Sequence, residues 1–569
     1  MKIAKVLKEN WTIILYLSLS IFSILPFFHP GFFPIHDDTQ VVRVYEMAQA
    51  LRDGQFPVRW VGDLGYGFGY PLFNFYAPLP YYVGALPSLF GLDILLATKL
   101  MFIVGILISG LFMYLLAQEF FGKSGGILAA LFYVYAPYYA LDIYVRGAVG
   151  EFWAMAFLPL MALGFYKVFT ISNTTAVSSK AWKWIVVGAV GYAGVILSHN
   201  LTAMMTVPFL IVGLVAYSFW SFRKKKPYPK PYTLYPIFLA LGLSAFYWLP
   251  SIWEMRFTDV SSQIGGGADF RDHFVCLSQF WNSPWGFGGS APGCLFDGMS
   301  FQIGKLQIIL TFVVFLLSLF GWRRERSRSL LILLAIHYLL LAIFMATGYS
   351  RPIWEAIAPM AYIQYPWRFL VFATFFISLS AASIVIFFQN RILRLIVISL
   401  LLAMLLPYRI KYFQPQQYLN LQTDDYINEE NIKWKTSKIS DEFLPKNFPK
   451  PKNPDEVVKE KIIPLDESVQ ISNLRIKSSR YNFDFSSQKD TLVLAQVAYF
   501  PGWKVFIDGK ENPIMVEDGK IAFALPSGQH RAEVIFKNTF IRNFGNALSL
   551  ISFIILIGGF FYGRRKVKS

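Results

Sequence analysis

The chain has 569 residues, of which 55% are hydrophobic and 15% are charged, against roughly 25% charged residues in soluble domains, and this composition excludes a soluble globular enzyme. Its 52 Lys and Arg and 35 Asp and Glu give a net charge of +17. Because the chain is so apolar, we expect this charge at the edges of the membrane rather than on a surface that binds nucleic acid. Two cysteines exclude a disulfide-rich scaffold and a cysteine-ligated metal site.

Twelve apolar stretches are long enough to cross a bilayer, for which a helix needs about 20 mostly apolar residues. They lie at residues 11–28, 94–116, 126–141, 152–169, 183–198, 201–220, 232–250, 305–321, 330–347, 367–389, 393–410 and 542–562. The predicted fold class is therefore a polytopic α-helical membrane protein with about 12 transmembrane helices. Another apolar stretch, residues 76–90, is interrupted by prolines and is predicted to be re-entrant or interfacial.

Basic residues occur in every second gap between these stretches, which predicts that those gaps are cytoplasmic. They are Lys2, Lys5 and Lys8, Lys123, Lys180 and Lys183, Arg223 to Lys226, Arg323 to Arg328, Arg391 and Arg394, and Arg564 to Lys566. We therefore expect a multi-pass plasma-membrane protein whose N-terminus and C-terminus are both cytoplasmic, with long external loops at residues 29–93 and 251–304.

The composition changes after the eleventh stretch. Residues 443–454 are rich in Pro, Lys and Asn, as extended linkers are, and beyond residue 467 short apolar runs alternate with turns such as Asp508-Gly509, which is typical of a β-hairpin. We predict a membrane domain over residues 1–410, an extracytoplasmic linker and small β-sandwich domain over 411–541, and a final transmembrane helix with a basic tail over 542–569.

Cys276 and Cys294 lie in the same external loop, beside two glycine-rich stretches. A disulfide between them would stabilise the loop by about 3 kcal/mol in an oxidising compartment, and two unpaired thiols are the alternative. A glycine-rich loop of this kind can move, so a lid is conceivable.

Two adjacent carboxylates, Asp37 and Asp38, follow His36 a few residues beyond the first apolar stretch. Because neighbouring carboxylates repel one another, the pair suggests a functional reason for keeping both. The residues that follow, Val41 to Leu51, have a helical pattern, so either aspartate could instead be an N-cap worth about 1 kcal/mol. Both interpretations stay open at this point.

A carboxylate at the membrane surface suits a lipid-linked substrate, because a general base there can deprotonate an acceptor hydroxyl while a cation stabilises the leaving phosphate. Arg146 and Arg368 are the candidate cations, and Glu151 and His199 are expected at the same membrane face. Each of these residues alone is typical of an ordinary interfacial position, so the hypothesis depends on their convergence.

Aromatic residues crowd the rest of the first external loop, interleaved with Gly and Pro: Tyr66, Phe68, Tyr70, Phe73, Phe75, Tyr76, Tyr81 and Tyr82. They could stack on sugar rings or on a lipid chain. The favoured interpretation is an interfacial aromatic belt, which requires no ligand.

The absence of certain motifs argues against several classes of protein. The sequence has no phosphate-binding loop, which argues against an ATP-driven transporter. The apolar stretches are nearly free of ionisable residues, with Lys99 and His337 as the main exceptions, whereas ion-coupled carriers usually need charges near the middle of the membrane.

Three segments resemble known families: His36-Asp37-Asp38, residues 65–76 (GYGFGYPLFNFY) and Gln364-Tyr365-Pro366-Trp367-Arg368. They resemble the bacterial and archaeal membrane proteins labelled 6-pyruvoyl-tetrahydropterin synthase-related, although the zinc-histidine pattern of the pterin enzyme is absent. Residues 499–509 (YFPGWKVFIDG) are similar to the C-terminal region of YfhO-like membrane proteins. Both groups resemble the type-C glycosyltransferases (GT-C), multi-span enzymes that take a sugar from a polyprenyl-phosphate donor.

The resemblance implies that an acidic residue of the first external loop is the catalytic base, here Asp37 or Asp38. Some type-C enzymes hold a divalent metal with an Asp-x-Asp pair, whereas the carboxylates here are adjacent, which argues against a metal, and no other cofactor is implied. His36, Arg146, Glu151, His199 and Arg368 are assigned to substrate binding from their placement alone.

The leading hypothesis is a prokaryotic membrane glycosyltransferase that moves a sugar from a polyprenyl-phosphate donor to a glycan, lipid or protein acceptor of the cell envelope. The external β-domain would either bind the acceptor or act as a structural cap. A transporter or flippase of lipid-linked sugars and a non-catalytic scaffold for envelope assembly are the alternatives. A transporter needs alternating access to both membrane faces, and in a scaffold the charged groups need not converge.

Overall fold

The protein consists of a large helical part and a smaller part built of β-strands. The structure, a computed structural model, describes residues 2–171, 178–223, 231–260, 264–320 and 326–568. Its α-helices over these ranges are α1 (Lys2–Ile24), α2 (Gln40–Arg52), α3 (Leu72–Phe75), α4 (Leu79–Leu89), α5 (Ile94–Val134), α6 (Pro137–Tyr144), α7 (Val149–Ile171), α8 (Ser179–Ser198), α9 (Asn200–Arg223), α10 (Tyr235–Leu243), α11 (Ala245–Glu254), α12 (Lys305–Phe320), α13 (Arg326–Ala346), α14 (Arg351–Ala356), α15 (Leu370–Ala382), α16 (Arg391–Leu405), α17 (Pro407–Tyr412), α18 (Thr423–Tyr426), α19 (Ser437–Ile439) and α20 (Phe540–Lys568).

The predicted membrane fold is confirmed, with a smaller number of spans. Within the described ranges, nine helices are long and apolar enough to cross a membrane, and the pair α10 and α11, which is bent by 67°, makes a tenth if it is taken as one span. The expected number of about twelve is too high by this measure. Two expected stretches, 94–116 and 126–141, fall largely within α5, and α12 has only 16 residues, fewer than a full span needs.

Helix α5 consists of two helices joined by a kink at Gly122. This glycine has φ 70° and ψ −179°, a conformation that interrupts the helical backbone. Residues with a Cβ rarely adopt this conformation. The residues after the break, Gly125 to Val134, are almost completely buried, whereas the first half of α5 alternates between buried and partly exposed positions. The expected stretches 94–116 and 126–141 therefore begin in the two parts of α5, which the count above takes as one helix.

Small residues bring α7 and α8 into close contact. A Cβ added to Gly164 would lie 2.2 Å from the backbone nitrogen of Gly188, and one added to Gly191 would lie 2.3 Å from that of Met161. Glycine at these positions allows the two backbones to approach, as in other membrane helix pairs. This tight pair fixes the distance between the start of α7 and the end of α8, where two of the predicted site residues lie.

The predicted helix after the two aspartates is α2, but neither aspartate caps it. The N-cap is Thr39, and no side chain accepts a capping hydrogen bond at this end. The N-cap alternative for Asp37 and Asp38 is therefore wrong. Both residues lie at the surface of the loop instead.

The β-strands form two antiparallel sheets, which confirms the predicted small β-domain. One sheet has the order β1-β4-β8-β7 and the other β2-β3-β9-β5-β6. The strands are β1 (Ile462–Pro464), β2 (Gln470–Lys477), β3 (Arg480–Ser487), β4 (Thr491–Ala498), β5 (Trp503–Ile507), β6 (Lys510–Asn512), β7 (Met515–Glu517), β8 (Lys520–Leu525) and β9 (Gly528–Phe536). Asp508 and Gly509 join β5 to β6 with φ of 47° and 78°, as a tight hairpin turn requires.

The aromatic residues of the first external loop pack against the β-domain and the segment before it. Phe68 contacts Phe448, and Phe75 contacts Phe443 and Phe500 with ring centroids 5.1 to 6.0 Å apart. The side chains from Tyr66 to Phe75 in this group are at most 5% exposed. The favoured interpretation of an interfacial belt is wrong for them, because they form a core between the loop and the β-domain.

A buried network of polar groups ties the same loop to the helices on either side. The carboxylate of Glu254, at the end of α11, accepts hydrogen bonds from Asn74 (2.8 Å), Thr539 (2.7 Å) and Arg542 (2.9 Å). Arg542, which is 0% exposed, also donates to the carbonyl oxygen of Pro501 in the β-domain (2.9 Å). The first loop, α11, the final helix and the β-domain therefore meet at one carboxylate.

Several basic clusters used to predict orientation lie outside the described residues. Positions 224–226 and 323–325 belong to this group, and the side chains of Lys2, Lys5 and Lys8 and of Arg564 to Lys566 are likewise not described. The orientation of the termini stays a prediction.

Candidate functional site

The backbone of the first external loop pairs with the segment between α6 and α7. The N–H of His36 donates to the carbonyl oxygen of Val145, and that of Asp37 to the carbonyl oxygen of Arg146, both at 2.9 Å. Gly147 has φ 63°, and a Cβ there would lie 2.4 Å from the Ile35 side chain. Glycine thus permits the close approach that pairs the backbone of His36 and Asp37 with that of Val145 and Arg146.

Arg146 is the centre of a buried ion cluster. Its guanidinium pairs with Asp142, one helical turn earlier, and with both carboxylate oxygens of Glu151 at 3.0 and 3.1 Å. Tyr138 donates to the Glu151 Oε1 atom at 2.6 Å. Two carboxylates therefore neutralise Arg146, which favours an orienting role within the protein over one as a free cation.

Arg368 joins this cluster from the other end of the sequence. Its Nε atom lies 3.7 Å from Glu151 Oε2, and its Nη1 donates to the carbonyl oxygen of Ile363 at 2.7 Å and to Gln364 Oε1 at 3.3 Å. Gln364 has φ 66°, a strained conformation for a residue other than glycine, and such strain is common at functional sites. The neighbouring Trp367 ring stacks on the Arg146 guanidinium at 4.5 Å.

His199 lies at the turn between α8 and α9, next to the start of α7. A Cβ on Gly150 would lie 3.4 Å from the His199 ring. His199 Nδ1 lies 2.7 Å from Thr202 Oγ1 and 3.3 Å from the Thr202 backbone nitrogen, and burial lowers the pKa of His199, which favours the neutral ring. The expected convergence of Arg146, Glu151, His199 and Arg368 is therefore present in the structure, while their roles stay predictions.

The two aspartates differ in their surroundings. Packing around Asp38 raises its pKa from the usual 3.8 to about 6, because burial disfavours the charged form. Part of its side chain is nevertheless exposed. A carboxylate with this pKa is a stronger base than an ordinary aspartate and is still mostly ionised at neutral pH.

Asp37 faces a second set of polar residues that the sequence did not single out. Arg43 donates from Nη2 to Ser440 Oγ at 2.8 Å, lies 3.9 Å from Glu442 Oε1 and stacks on the Tyr76 ring at 4.1 Å. The pKa of Glu442 is raised above its usual value, mainly by burial. The nearby charge of Asp37 adds to this rise, and Arg43 opposes it. The segment before the β-domain thus contributes a further carboxylate to the site.

His36 is held by the external loop that contains the two cysteines. Its Nε2 donates to the carbonyl oxygen of Phe287 at 2.9 Å. Cys276 and Cys294 form a disulfide with their Cα atoms 6.0 Å apart, and the loop between them contains Phe287. The loop therefore contacts the residue that precedes the two aspartates, a position from which a lid would act. Among the described residues, no three His, Cys, Asp or Glu side chains are grouped as a metal ion would need.

Residues 73–265 match the family model of the 6-pyruvoyl-tetrahydropterin synthase related domain, a membrane protein. The predicted resemblance to this family is confirmed for that part of the chain. The matched segment contains Asp142, Arg146, Glu151 and His199, whereas Asp37, Asp38 and Arg368 lie outside it. A protein of Lactococcus lactis subsp. cremoris, described only as uncharacterized, is 26% identical over 258 residues, which are 44% of this chain and 40% of that protein.

The structure is also similar to solved structures of glycosyltransferases. The oligosaccharyltransferase of Archaeoglobus fulgidus in the apo form has a TM-score of 0.48 and 11% identity, and the same enzyme with an inhibitory peptide and a dolichol-phosphate has a TM-score of 0.48 and 12% identity. Both alignments cover 80% of this chain and 62% of the other. For the arabinofuranosyltransferase AftD from Mycobacteria the values are 0.42 and 13%, with 72% of this chain and 28% of the other. The chain thus spans less than two thirds of the length of each.

Two kinds of site residue escaped the sequence analysis. Asp142 lies near the end of α6, four residues before Arg146, a spacing at which opposite charges meet in a helix, and this signal was available. No local pattern indicates Glu442, because about 400 residues separate it from Asp37 in the sequence.

Opening the disulfide should loosen the loop that contacts His36. For Cys276→Ser combined with Cys294→Ser, we expect faster hydrogen exchange of the backbone amides at 277–293, because the loop-entropy contribution of about 3 kcal/mol is lost. Exchange in β3 and β9, far along the chain, serves as the control and should not change. Unchanged exchange in the loop would contradict this expectation.

Proposed function

We propose that the protein is a membrane glycosyltransferase that transfers a sugar from a polyprenyl-phosphate donor to an acceptor hydroxyl or amide of the cell envelope. One observation carries the proposal. The backbone pairing of residues 36 and 37 with 145 and 146 brings the loop that carries Asp38, whose pKa burial raises, next to the segment that carries Arg146, about ten residues after the end of a membrane-spanning helix.

Asp38 is the general base in this proposal. It takes the proton from the acceptor, whose oxygen or nitrogen then forms a bond to the anomeric carbon of the donor sugar. The bond between that carbon and the phosphate oxygen breaks, and polyprenyl phosphate leaves with the electron pair. Asp37 and His36 line the acceptor side, and the Phe287 carbonyl holds the His36 ring in place.

Arg368 is the better candidate for the cation at the donor phosphate. Its Nη1 binds a backbone carbonyl and a neutral amide, and its contact with Glu151 is long, whereas Arg146 pairs closely with two carboxylates. Arg146 and Glu151 then orient Arg368 and the loop that carries the base. Because His199 is neutral, Arg368 is the cation that binds the phosphate in this scheme. No step in this scheme requires a metal ion.

The reaction class can be tested with purified protein in liposomes. Radiolabelled polyprenyl-phosphate sugars would be supplied one at a time with envelope glycan, lipid and peptide acceptors, and the proposal predicts transfer of label with at least one pair. Appearance of labelled donor in the opposite leaflet without any transfer would favour a flippase. Absence of both transfer and translocation across the whole panel would overturn the proposal.

The pH dependence of transfer should report the ionisation of Asp38. A general base must be deprotonated, so the rate should fall about tenfold per pH unit below a midpoint near the Asp38 pKa of about 6. The measurement is the initial rate between pH 4.5 and 8 at saturating donor. A rate that is flat down to pH 4.5 would contradict the role of Asp38.

A further inference from the structure

A cavity of about 540 Å³ lies at the membrane boundary, apart from the residues assigned above. Its apolar lining includes Phe28 and Leu96, and its polar end is formed by Lys99, Asp93, Thr423 and Asp424. Phe28 is the last residue of one membrane-spanning segment, and Ile94 is the first of another. The cavity is therefore at the depth where lipid head groups meet acyl chains.

The apolar rim of the cavity is open to its surroundings. The side chain of Phe28 is 66% exposed and that of Leu96 is 44% exposed. Exposed large apolar side chains at the end of a membrane span face acyl chains. A lipid seated here would lay its chains along these two residues while its head group entered the polar end.

The polar end carries positive and negative charge. One cation, Lys99, and one carboxylate, that of Asp424, can still form hydrogen bonds with a ligand. Lys99 donates to the carbonyl oxygens of His29 and Pro30, the latter at 2.9 Å, which uses two of its three N–H bonds. Asp93 accepts from the N–H of Leu96 and from the Thr423 hydroxyl. Asp424, by contrast, lies on the exposed side of the cavity, and its carboxylate takes part in no hydrogen bond within the described residues.

We propose that this cavity binds the head group of an amine-bearing phospholipid such as phosphatidylethanolamine. The phosphate takes the remaining N–H of Lys99, and the ammonium takes the carboxylate of Asp424, while the carboxylate of Asp93 already accepts two hydrogen bonds within the protein. An anionic head group without an amine would leave two carboxylates facing a phosphate, which is unfavourable. The binding does not depend on the glycosyltransferase proposal.

The position of the site suggests what the lipid would do. Residues 29–38 connect this cavity to Asp38 along the chain. Helix α18 makes a second connection, because it begins at Thr423 in the cavity wall and ends at Tyr426. Burial raises the pKa of Tyr426, and the nearby charge of Asp38 raises it further. A bound lipid would hold the start of the first loop and the start of the linker segment together at the membrane surface.

The experiment is native mass spectrometry of the full-length protein after delipidation, with phosphatidylethanolamine, phosphatidylcholine and phosphatidylglycerol of identical acyl chains. We expect phosphatidylethanolamine to bind about tenfold more tightly than the other two, and Asp424→Asn to remove this preference. Asp455→Asn, which changes an exposed carboxylate of the linker, is the matched control and should keep the preference.

Three outcomes would overturn the proposal. They are equal binding of the three lipids, a preference retained by Asp424→Asn, and binding of soluble phosphoethanolamine as tight as that of the lipid. Asp424→Asn is preferred to a change of Lys99 because Lys99 also holds the backbone after α1, and its loss could unfold the region.

Discussion

Replacing Asp38 by Asn should reduce sugar transfer by about 10²- to 10⁴-fold, the usual contribution of a general base. Asn has the same shape and cannot accept the proton, so binding of donor and acceptor should change far less than the catalytic rate. The measurement is the single-turnover rate in liposomes with the donor identified from the panel. Asp37→Asn should have the smaller effect of the two, because the proposal assigns the role of base to Asp38, whose pKa burial raises.

Stability provides the control for this substitution. An acid with a raised pKa in the folded protein binds protons more readily there than in the unfolded chain, so its contribution to stability falls as the pH rises from about 4 to about 6. Above this range Asp38→Asn should therefore unfold at the same temperature as the natural protein or at a higher one. Asp518→Asn, in an exposed turn of the β-domain, should change neither rate nor stability. Full activity of both Asp38→Asn and Asp37→Asn would remove the proposed mechanism.

Glu254→Gln should destabilise the protein by about 3–5 kcal/mol, the largest effect we expect on folding. Glu254 is the partner of the fully buried Arg542, and Arg59 donates to Asn74 in the same network. Without this carboxylate, no negative charge balances the positive charges of the buried Arg59 and Arg542, which repel each other. The measurement is the unfolding midpoint in detergent micelles, and the loss should separate the β-domain from the first external loop.

Two further variants make this expectation sharper. Glu511→Gln removes the partner of Lys504 on the surface of the β-domain and should cost about 0–1 kcal/mol. Glu254→Gln combined with Arg542→Met should be less destabilising than the sum of the two single changes, because the second change removes the uncompensated charge. Additive costs, or a Glu254→Gln effect no larger than that of Glu511→Gln, would contradict the structural role of this pair.

The elements that local patterns govern were predictable from the sequence. Hydropathy located the membrane helices, because a spanning helix must be apolar along its whole length. The 3.6-residue period located α2, and Asp508-Gly509 located the hairpin between β5 and β6. The position of Arg146, Glu151, His199 and Arg368 on one membrane face also followed from counting the spans between them.

The features that depend on contacts between distant segments were not predictable. The aromatic residues of the first loop are as apolar as a membrane belt, and only the fold shows that Phe68 and Phe75 pack on Phe448 and Phe443. Glu254 and Arg542 are 288 residues apart, so no local pattern pairs them. Neutralisation of Arg146 by Asp142 changes its expected role, since a paired cation is less available to a phosphate.

An experimental structure of the protein in a lipid nanodisc, with a non-transferable polyprenyl-phosphate sugar bound, tests the central claim most directly. The account predicts that the phosphate lies at the Arg368 guanidinium and that the anomeric carbon faces the Asp38 carboxylate across a gap that one acceptor group can fill. A donor bound elsewhere, with Asp37 and Asp38 both remote from its sugar, would contradict it.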